Sequence, residues 1–200
     1  MAAGELREKV ALVTGGARRI GREIALALAE SGANVAITYL QSQREARRTA
    51  DELRELGVSA LALPCDVRQE KDIGRTVKKL EDEFGGIDIL INNAAVYETA
   101  DFEEISARQW DEMFAVNARG PFLMAQAATA TLRRRRGRII NLGSLGGLRP
   151  WATHAHYCAS KAALTMLTQV MAKALAPEIA VNCVAPGMID LGGVEDSAFL

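Results

Sequence analysis

Short apolar runs alternate along the chain with longer segments whose apolar residues recur every three or four positions. Val10-Ala11-Leu12-Val13-Thr14 is apolar at nearly every position, the mark of a strand buried on both faces. Ile20, Ile24 and Leu28 then recur at helical spacing, and the helix they mark ends near Gly32. Asn34 to Tyr39 reads as a second strand. Ala46, Ala50 and Leu53 stripe a second helix that stops at Gly57. A third strand over Ser59 to Leu63 leads into a helix striped by Ile73, Val77, Leu80 and Phe84 and closed by Gly85-Gly86. Ile87 to Ile91 is a fourth strand.

The second half repeats the rhythm. The pattern predicts helices over Ala107 to Val116 and Pro121 to Arg134, then a fifth strand over Arg138 to Leu142. A long helix follows from about Ala155 to Leu175, and a sixth strand from Ile179 to Val184. Strands separated by helices predict an α/β fold, a doubly wound parallel sheet covered on both faces. No linker, repeat or low-complexity stretch interrupts it, so residues 1–200 read as a single domain. Gly192 to Leu200 reads as a loop or the start of a helix.

Composition narrows the function. Apolar residues make up 49% of the chain, enough for a core. The 24 Lys and Arg against 25 Asp and Glu leave no basic excess, which excludes a non-specific nucleic-acid binder. Cys65, Cys158 and Cys183 show neither metal nor redox spacing, and His154 and His156 lack a third ligand at metal spacing. No apolar run reaches the ~20 residues of a membrane span, and the first residues contain no secretory apolar core. A cytoplasmic protein without membrane or nucleic-acid partner is expected. Arg133 to Arg136 fall where a helix ends, where cations suit the dipole, so a solvated helix end is expected. The two histidines are expected at the mouth of a substrate site or in solvent. Cys158 is expected to be packed, and Trp110, Met113 and Phe114 to be core or interface.

Two patterns carry chemistry. Thr14-Gly15-Gly16-Ala17-Arg18-Arg19-Ile20-Gly21 joins the first strand to the first helix. Backbone N–H groups at a helix N-terminus attract an anion, and glycines let phosphates approach. This turn reads T-G-x-x-x-R-x-G rather than G-x-G-x-x-G, and alone it could be a plain tight turn. The second strand runs out through Tyr39-Leu40-Gln41-Ser42 with no carboxylate for a ribose 2′-hydroxyl. Arg18, Arg19 and Arg44 are instead available for a 2′-phosphate, which predicts NADPH over NADH; a solvated arginine cluster is the alternative.

The second pattern is Tyr157-Cys158-Ala159-Ser160-Lys161. Four residues apart on a helix, Tyr157 and Lys161 share one face. A nearby cation favours a phenolate, so the pair suits proton delivery to a carbonyl oxygen as hydride reaches carbon. Such spacing arises by chance about once in ten chains of this composition. Ser144, just past the fifth strand, lies where ligands of open α/β sheets bind.

Taken together, Thr14 to Gly21, Cys65-Asp66-Val67, Asn92-Asn93-Ala94-Ala95, Asn117, Ser144, Tyr157-x-x-x-Lys161 and Pro186-Gly187 resemble the single-domain short-chain dehydrogenases/reductases in order and spacing. The resemblance covers residues 8 to about 190. It implies a Rossmann fold that binds NADP(H) and reduces a small-molecule carbonyl substrate. It implies that Tyr157 is the general acid, that Lys161 holds the nicotinamide ribose and lowers the tyrosine pKa, and that Ser144 hydrogen-bonds the substrate oxygen. Asn117 would fix a water leading from Lys161 to solvent. Gly15, Arg18, Arg19 and Ile20 would lie along the cofactor, Asp66 and Val67 at the adenine, Asn93 and Ala94 in the groove, and Pro186, Gly187 and Ile189 at the nicotinamide. Singly, each has a plainer role open to it: Asn117 as a backbone cap, Ser144 as a turn residue, Asp66 as a turn carboxylate.

Three departures matter. Arg19 stands where the family usually has glycine, as in pteridine reductases, although that branch commonly has Asp at the position of Ser144. Leu191 replaces a threonine that contacts the carboxamide. Family members continue through a further helix and a seventh strand, so the part that completes the substrate lobe is expected to be missing after about residue 190. A 3-oxoacyl carrier-protein reductase is the leading expectation, with a pteridine reductase second and a dehydrogenase running toward ketone third. A cofactor-binding regulator without turnover is the alternative from another class. A homodimer or homotetramer is expected through the helices over Pro121 to Arg134 and Ala155 to Leu175.

Overall fold

The structure is a computed structural model and describes residues 5–189. Six strands form one parallel sheet: β1 (Val10–Val13), β2 (Asn34–Tyr39), β3 (Ala60–Pro64), β4 (Ile89–Asn92), β5 (Arg138–Leu142) and β6 (Ala180–Val184), in the order β3-β2-β1-β4-β5-β6. Helices α1 (Arg19–Glu30), α2 (Gln43–Glu55), α3 (Glu70–Phe84), α4 (Ala107–Phe114), α5 (Gly120–Arg134) and α6 (Ala155–Ala174) make the crossovers.

Alternation along the strands divides the core between two faces. Val10 and Leu12 pack with Leu80, Leu90, Met124, Leu132 and Ile139 beneath α3 and α5. Ala11 and Val13 pack on the other side with Ala25, Ala29, Val35, Ile37 and Leu53 beneath α1 and α2. Each fully buried leucine or isoleucine contributes about 2 kcal/mol of apolar transfer. The doubly wound arrangement expected from the sequence is the one observed.

Differences are local and have physical causes. Strand β4 starts at Ile89 rather than Ile87, because the Asp88 carboxylate turns back to accept from Val10 N–H at 3.0 Å and from Lys9 Nζ at 3.3 Å. The helix expected to stop at Val116 instead continues into α5 through one π-turn, Ala115–Arg119. Pro121 has no N–H to donate, and widening the preceding turn accommodates it without breaking the rod. Short 3-10 turns at Phe102–Glu104 and Leu145–Gly147 left no periodic signal. Arg135, expected in a solvated run, is partly buried: it pairs with Asp88 at 3.0 Å and donates to the Phe84 carbonyl at 3.1 Å. Leu191 and the segment from Gly192 to Leu200 lie outside the described residues.

The strand order reverses at β1. The chain fills β2 and β3 on one side, then crosses to β4 on the other. A crevice opens at the carboxyl ends where such a crossing occurs.

Candidate active site

Thr14 ends β1 at that crevice and holds the neighbouring loop. Its hydroxyl accepts from the N–H groups of Asn93 and Ala94, both at 3.0 Å. The Asn93 amide donates back to the carbonyls of Thr14 at 2.8 Å and Gly15 at 3.1 Å. On the other side, the Thr38 hydroxyl accepts from Gly15 N–H at 3.2 Å and its carbonyl from Gly16 N–H at 3.1 Å. The glycine turn is therefore stitched to the strands on both flanks.

The turn leaves no room for side chains. Gly15 adopts φ +64°, and a Cβ there would press on Ala94. A Cβ on Gly21 would collide with the Gly15 carbonyl and the Asn93 amide. Helix α1 begins at Arg19, within this turn, with no side chain capping its N-terminus. Its first N–H groups face an anion site ready-made by the fold.

A groove of about 580 Å³ follows these elements. It is lined by Gly15, Arg18, Arg19, Ile20, Asp66, Val67, Asn93 and Ala94, so the sequence-expected residues of the adenosine half meet in one place. Arg18 and Arg19 make no ion pair among the described residues, whereas nearby Arg22 and Arg48 are both bound to Glu52. Arg44 faces a different depression with Arg47 and Arg48 and does not line the groove. Arg19 sits at φ +52°, the left-handed region that the usual glycine would occupy without strain. The Asp66 carboxylate is taken up by Arg68, with contacts of 2.7–3.1 Å, and this pairing holds it below the ordinary carboxylate range. Glycines too tight for a Cβ, an uncapped helix start and arginines without an ion pair among the described residues fit a dinucleotide.

The residues expected at the reacting end meet where β5 approaches α6. Lys161 Nζ, almost wholly buried, donates to the Leu142 carbonyl at 2.7 Å. Burial holds its ammonium down, to about 8. The same cation stands 5.9 Å from the centre of the Tyr157 ring, so the pair does share one face of α6. The expected lowering of the tyrosine pKa is not what this geometry gives. Burial pushes the phenol up, and the opposing pull comes from the Ser144 hydroxyl rather than from Lys161. Ser144 is itself fixed by accepting from Gly146 N–H at 3.1 Å.

Asn117 emerges from the π-turn fully buried. Its oxygen accepts from Val96 N–H at 2.9 Å, and its amide donates to the Val96 carbonyl at 3.0 Å and to Ser160 Oγ at 3.1 Å. It ties the loop after β4 to α6. Pro186 and Gly187 run beside Ser144: Leu145 N–H donates to the Pro186 carbonyl at 2.8 Å, and Gly187 faces Leu145. Ile189 lines a depression with Arg18, Arg19 and Ile20.

The two histidines were expected at the mouth of a substrate site or in solvent; solvent is not where they lie, while His154 packs against Tyr97, which lines the groove. Both are buried, His154 at 2% and His156 at 0% exposure, and neither faces solvent. His154 forms part of an aromatic wall that periodicity did not single out. Tyr97 meets Tyr157 edge-on with ring centres 4.9 Å apart, and Trp151 stacks over Tyr157 at 6.2 Å. Tyr97 follows Asn92-Asn93-Ala94-Ala95 by two residues. An aromatic residue in a loop at a strand's carboxyl end was the available signal.

Comparison with known proteins bears on this arrangement. A family model described as short chain dehydrogenase matches residues 9–198. Galactitol 2-dehydrogenase from Agrobacterium fabrum is 41% identical over 188 residues, covering 92% of this chain and 72% of that protein. A 3-oxoacyl acyl-carrier-protein reductase from Staphylococcus epidermidis is 39% identical over 183 residues, covering 90% and 75%. The crystal structure of a short chain dehydrogenase from Burkholderia cenocepacia in complex with NADP superimposes with a TM-score of 0.91 at 38% identity, covering 96% of this chain and 81% of that one. NAD+-bound xylitol dehydrogenase gives 0.90 at 32% identity, covering 94% and 73%.

Proposed function

The chain belongs to the short-chain dehydrogenase family of nicotinamide-dependent oxidoreductases, and from that premise we propose that it reduces a small-molecule carbonyl to an alcohol with NADPH. The observation that carries the reading is the placing of Tyr157, Lys161 and Ser144 at the carboxyl end of β5, beside a groove built for a dinucleotide.

The nicotinamide supplies hydride when bound; the chain supplies the proton and the positioning. Tyr157 is the general acid. Burial keeps its phenol protonated through neutral pH, which is the form reduction requires. Ser144 Oγ is held by Gly146 N–H beside the Tyr157 phenol, where it would hydrogen-bond the substrate oxygen. Lys161, whose Nζ donates to the Leu142 carbonyl, would hold the ribose hydroxyls of a bound cofactor, and its charge would stabilise oxygen anion character nearby. Asn117 acts by holding Val96 and Ser160, and so the loop and the helix that flank the acid. Gly15, Ile20, Asp66, Val67, Asn93 and Ala94 line the adenosine half, and Pro186 and Gly187, beside Leu145, would lie toward the nicotinamide; Ile189, expected there too, lies instead with Arg18, Arg19 and α1. Residues 1–200 act as one dinucleotide-binding domain.

The cofactor preference rests on Arg18 and Arg19, which line the groove without an ion pair among the described residues, and on the absence of a carboxylate among Thr38 to Ser42. The NADP-bound neighbour supports it, and the NAD+-bound neighbour makes the comparison necessary. KM for NADPH is expected to lie at least about tenfold below that for NADH; the reverse order overturns the preference.

Relatives point to two substrate classes. The 3-oxoacyl acyl-carrier-protein reductase supports a 3-oxoacyl thioester, and galactitol 2-dehydrogenase supports a hydroxylated ketone or its alcohol. The pteridine alternative rests on Arg19 and on Arg149-Pro150 ahead of the tyrosine segment. Oxidation of NADPH with β-ketoacyl thioesters, hydroxy ketones and pterins separates them. Tyr157→Phe is expected to lower kcat about 10²–10⁴-fold while leaving cofactor affinity intact. A chain that binds NADPH, turns over none of the panel and ignores this change is a regulator instead.

A homodimer or homotetramer is part of the reading. Trp110, Phe122, Met166 and Val170 leave apolar surface exposed on α4, α5 and α6. A monomer in sizing at micromolar concentration overturns it.

A further inference from the structure

The loop after β3 carries a chain of charged groups that runs from the groove to α4. Three donors, all from Arg68, converge on the Asp66 carboxylate. Oδ1 accepts from the Arg68 backbone N–H at 2.9 Å and from Nε at 2.8 Å. Oδ2 accepts from Nη2 at 2.7 Å and takes the longer arm of Nε at 3.1 Å. The remaining guanidinium nitrogen, Nη1, donates to Glu112 Oε1 on α4. The planar fork is therefore held at both ends, which fixes its orientation as well as its charge.

An ionised carboxylate only accepts, and it offers about four lone-pair sites. Three donors leave about one of them open. The pairing with Arg68 also holds Asp66 below the ordinary carboxylate range, so at neutral pH the open site does not become a donor. Asp66, Arg68 and Glu112 all line the groove. Strand order tells which end they occupy. Asp66 follows β3, at one edge of the sheet, whereas Leu142, which accepts from Lys161, ends β5 on the far side of β1. A dinucleotide with its nicotinamide at Tyr157 brings its other base toward Asp66. That base is adenine, whose 6-amino group is a donor.

We propose that Arg68, anchored by Glu112, is a positioning residue that holds the Asp66 carboxylate with one acceptor site open to the groove, and so makes the chain select a 6-aminopurine over a 6-oxopurine in its cofactor. The inference rests on the reading of the groove as a nicotinamide dinucleotide site and deepens it. A 6-oxo group sets acceptor against acceptor, and a site built to accept from an amine rejects the analogue that lacks one. Without Arg68 the carboxylate has to be ordered by the base itself, at the cost of its own rotamer freedom.

The test measures Kd on the full chain from nicotinamide fluorescence, with no carbonyl present. The tighter of NADPH and NADH is compared with its own 6-oxo analogue, in which hypoxanthine replaces adenine. The unchanged chain is expected to bind the adenine form at least about tenfold more tightly. Arg68→Gln is expected to weaken the adenine form about threefold to tenfold and the 6-oxo form less than about twofold. Glu112→Gln keeps the fork on Asp66 and frees its far end; a loss of about twofold to threefold on the adenine form alone is expected. This second variant decides the matter where Arg68→Gln does not fold. Equal binding of the two bases by the unchanged chain, equal weakening of both by either variant, or an unchanged preference in either variant overturns the inference and leaves the reductase reading standing. No binding of NADPH or NADH overturns both.

Discussion

Asn117 holds the backbone of Val96 from both sides, accepting from its N–H at 2.9 Å and donating to its carbonyl at 3.0 Å. The loop after β4 is thereby paired as a strand would be, by a side chain from a helix. Residues of the groove, Asn93 and Ala94, lie on one side of this clamp and Tyr97 on the other.

Replacing Asn117 with Ala strips the Val96 backbone groups of their partner and leaves the Ser160 hydroxyl only its bond to the Tyr157 carbonyl. A loss of about 2–3 kcal/mol in unfolding free energy is expected. Because the clamp positions the groove, kcat should fall as well. Urea unfolding and steady-state kinetics check both; a variant of unchanged stability contradicts the clamp.

Lys161 carries a stability cost with a definite sign. Its pKa is about 8 in the folded chain against an ordinary 10.5. The folded state therefore holds fewer protons than the unfolded state between these values, and stability rises with pH across that window. The cost is fully present below pH 8 and is on the order of 3 kcal/mol. Lys161→Met removes it and loses the bond to Leu142, for a net gain of about 2 kcal/mol and about 4–8 °C in Tm. Activity is expected to be lost with the gain, and the pH dependence of unfolding to flatten.

The same group sets the alkaline side of the reaction. Tyr157 is pushed above its ordinary range by burial, so it is not the first group to lose its proton. The kcat/KM profile for reduction is expected to be level at neutral pH and to fall above about 8, as Lys161 becomes neutral. A profile level into the tyrosine range shows that the ammonium charge is not needed in the free enzyme.

Arg19 holds a left-handed backbone at φ +52°. Arg19→Gly relieves about 1 kcal/mol of strain and raises Tm by about 2–4 °C. If the guanidinium meets the 2′-phosphate, KM for NADPH rises about tenfold in the variant while KM for NADH hardly moves. Equal effects on the two cofactors remove Arg19 from that role.

What could be read from the sequence is what local periodicity encodes. Apolar runs such as Val10–Val13 and Ile89–Ile91 announced buried parallel strands because each must bury both faces. The stripes Ile73, Val77 and Leu80 announced α3 because a helix repeats every 3.6 residues. Tyr157 and Lys161 were legible as a pair since one helix carries both. So were the groove glycines, whose turn is local.

Relations between segments distant in the chain were not legible. The π-turn that delivers Asn117 depends on how α4 runs into α5. The Tyr97–His154 bond joins residues on two different loops. The rise in the Tyr157 pKa, where a cation nearby suggested a fall, follows from burial by those loops. The succession of strands and helices, the glycine turn and the Tyr157–Lys161 pair were readable along the chain, since each is a property of neighbouring residues. The electrostatics of Tyr157 and the wall beside it emerge only on folding, because desolvation and hydrogen bonding across loops depend on distances in space rather than along the chain.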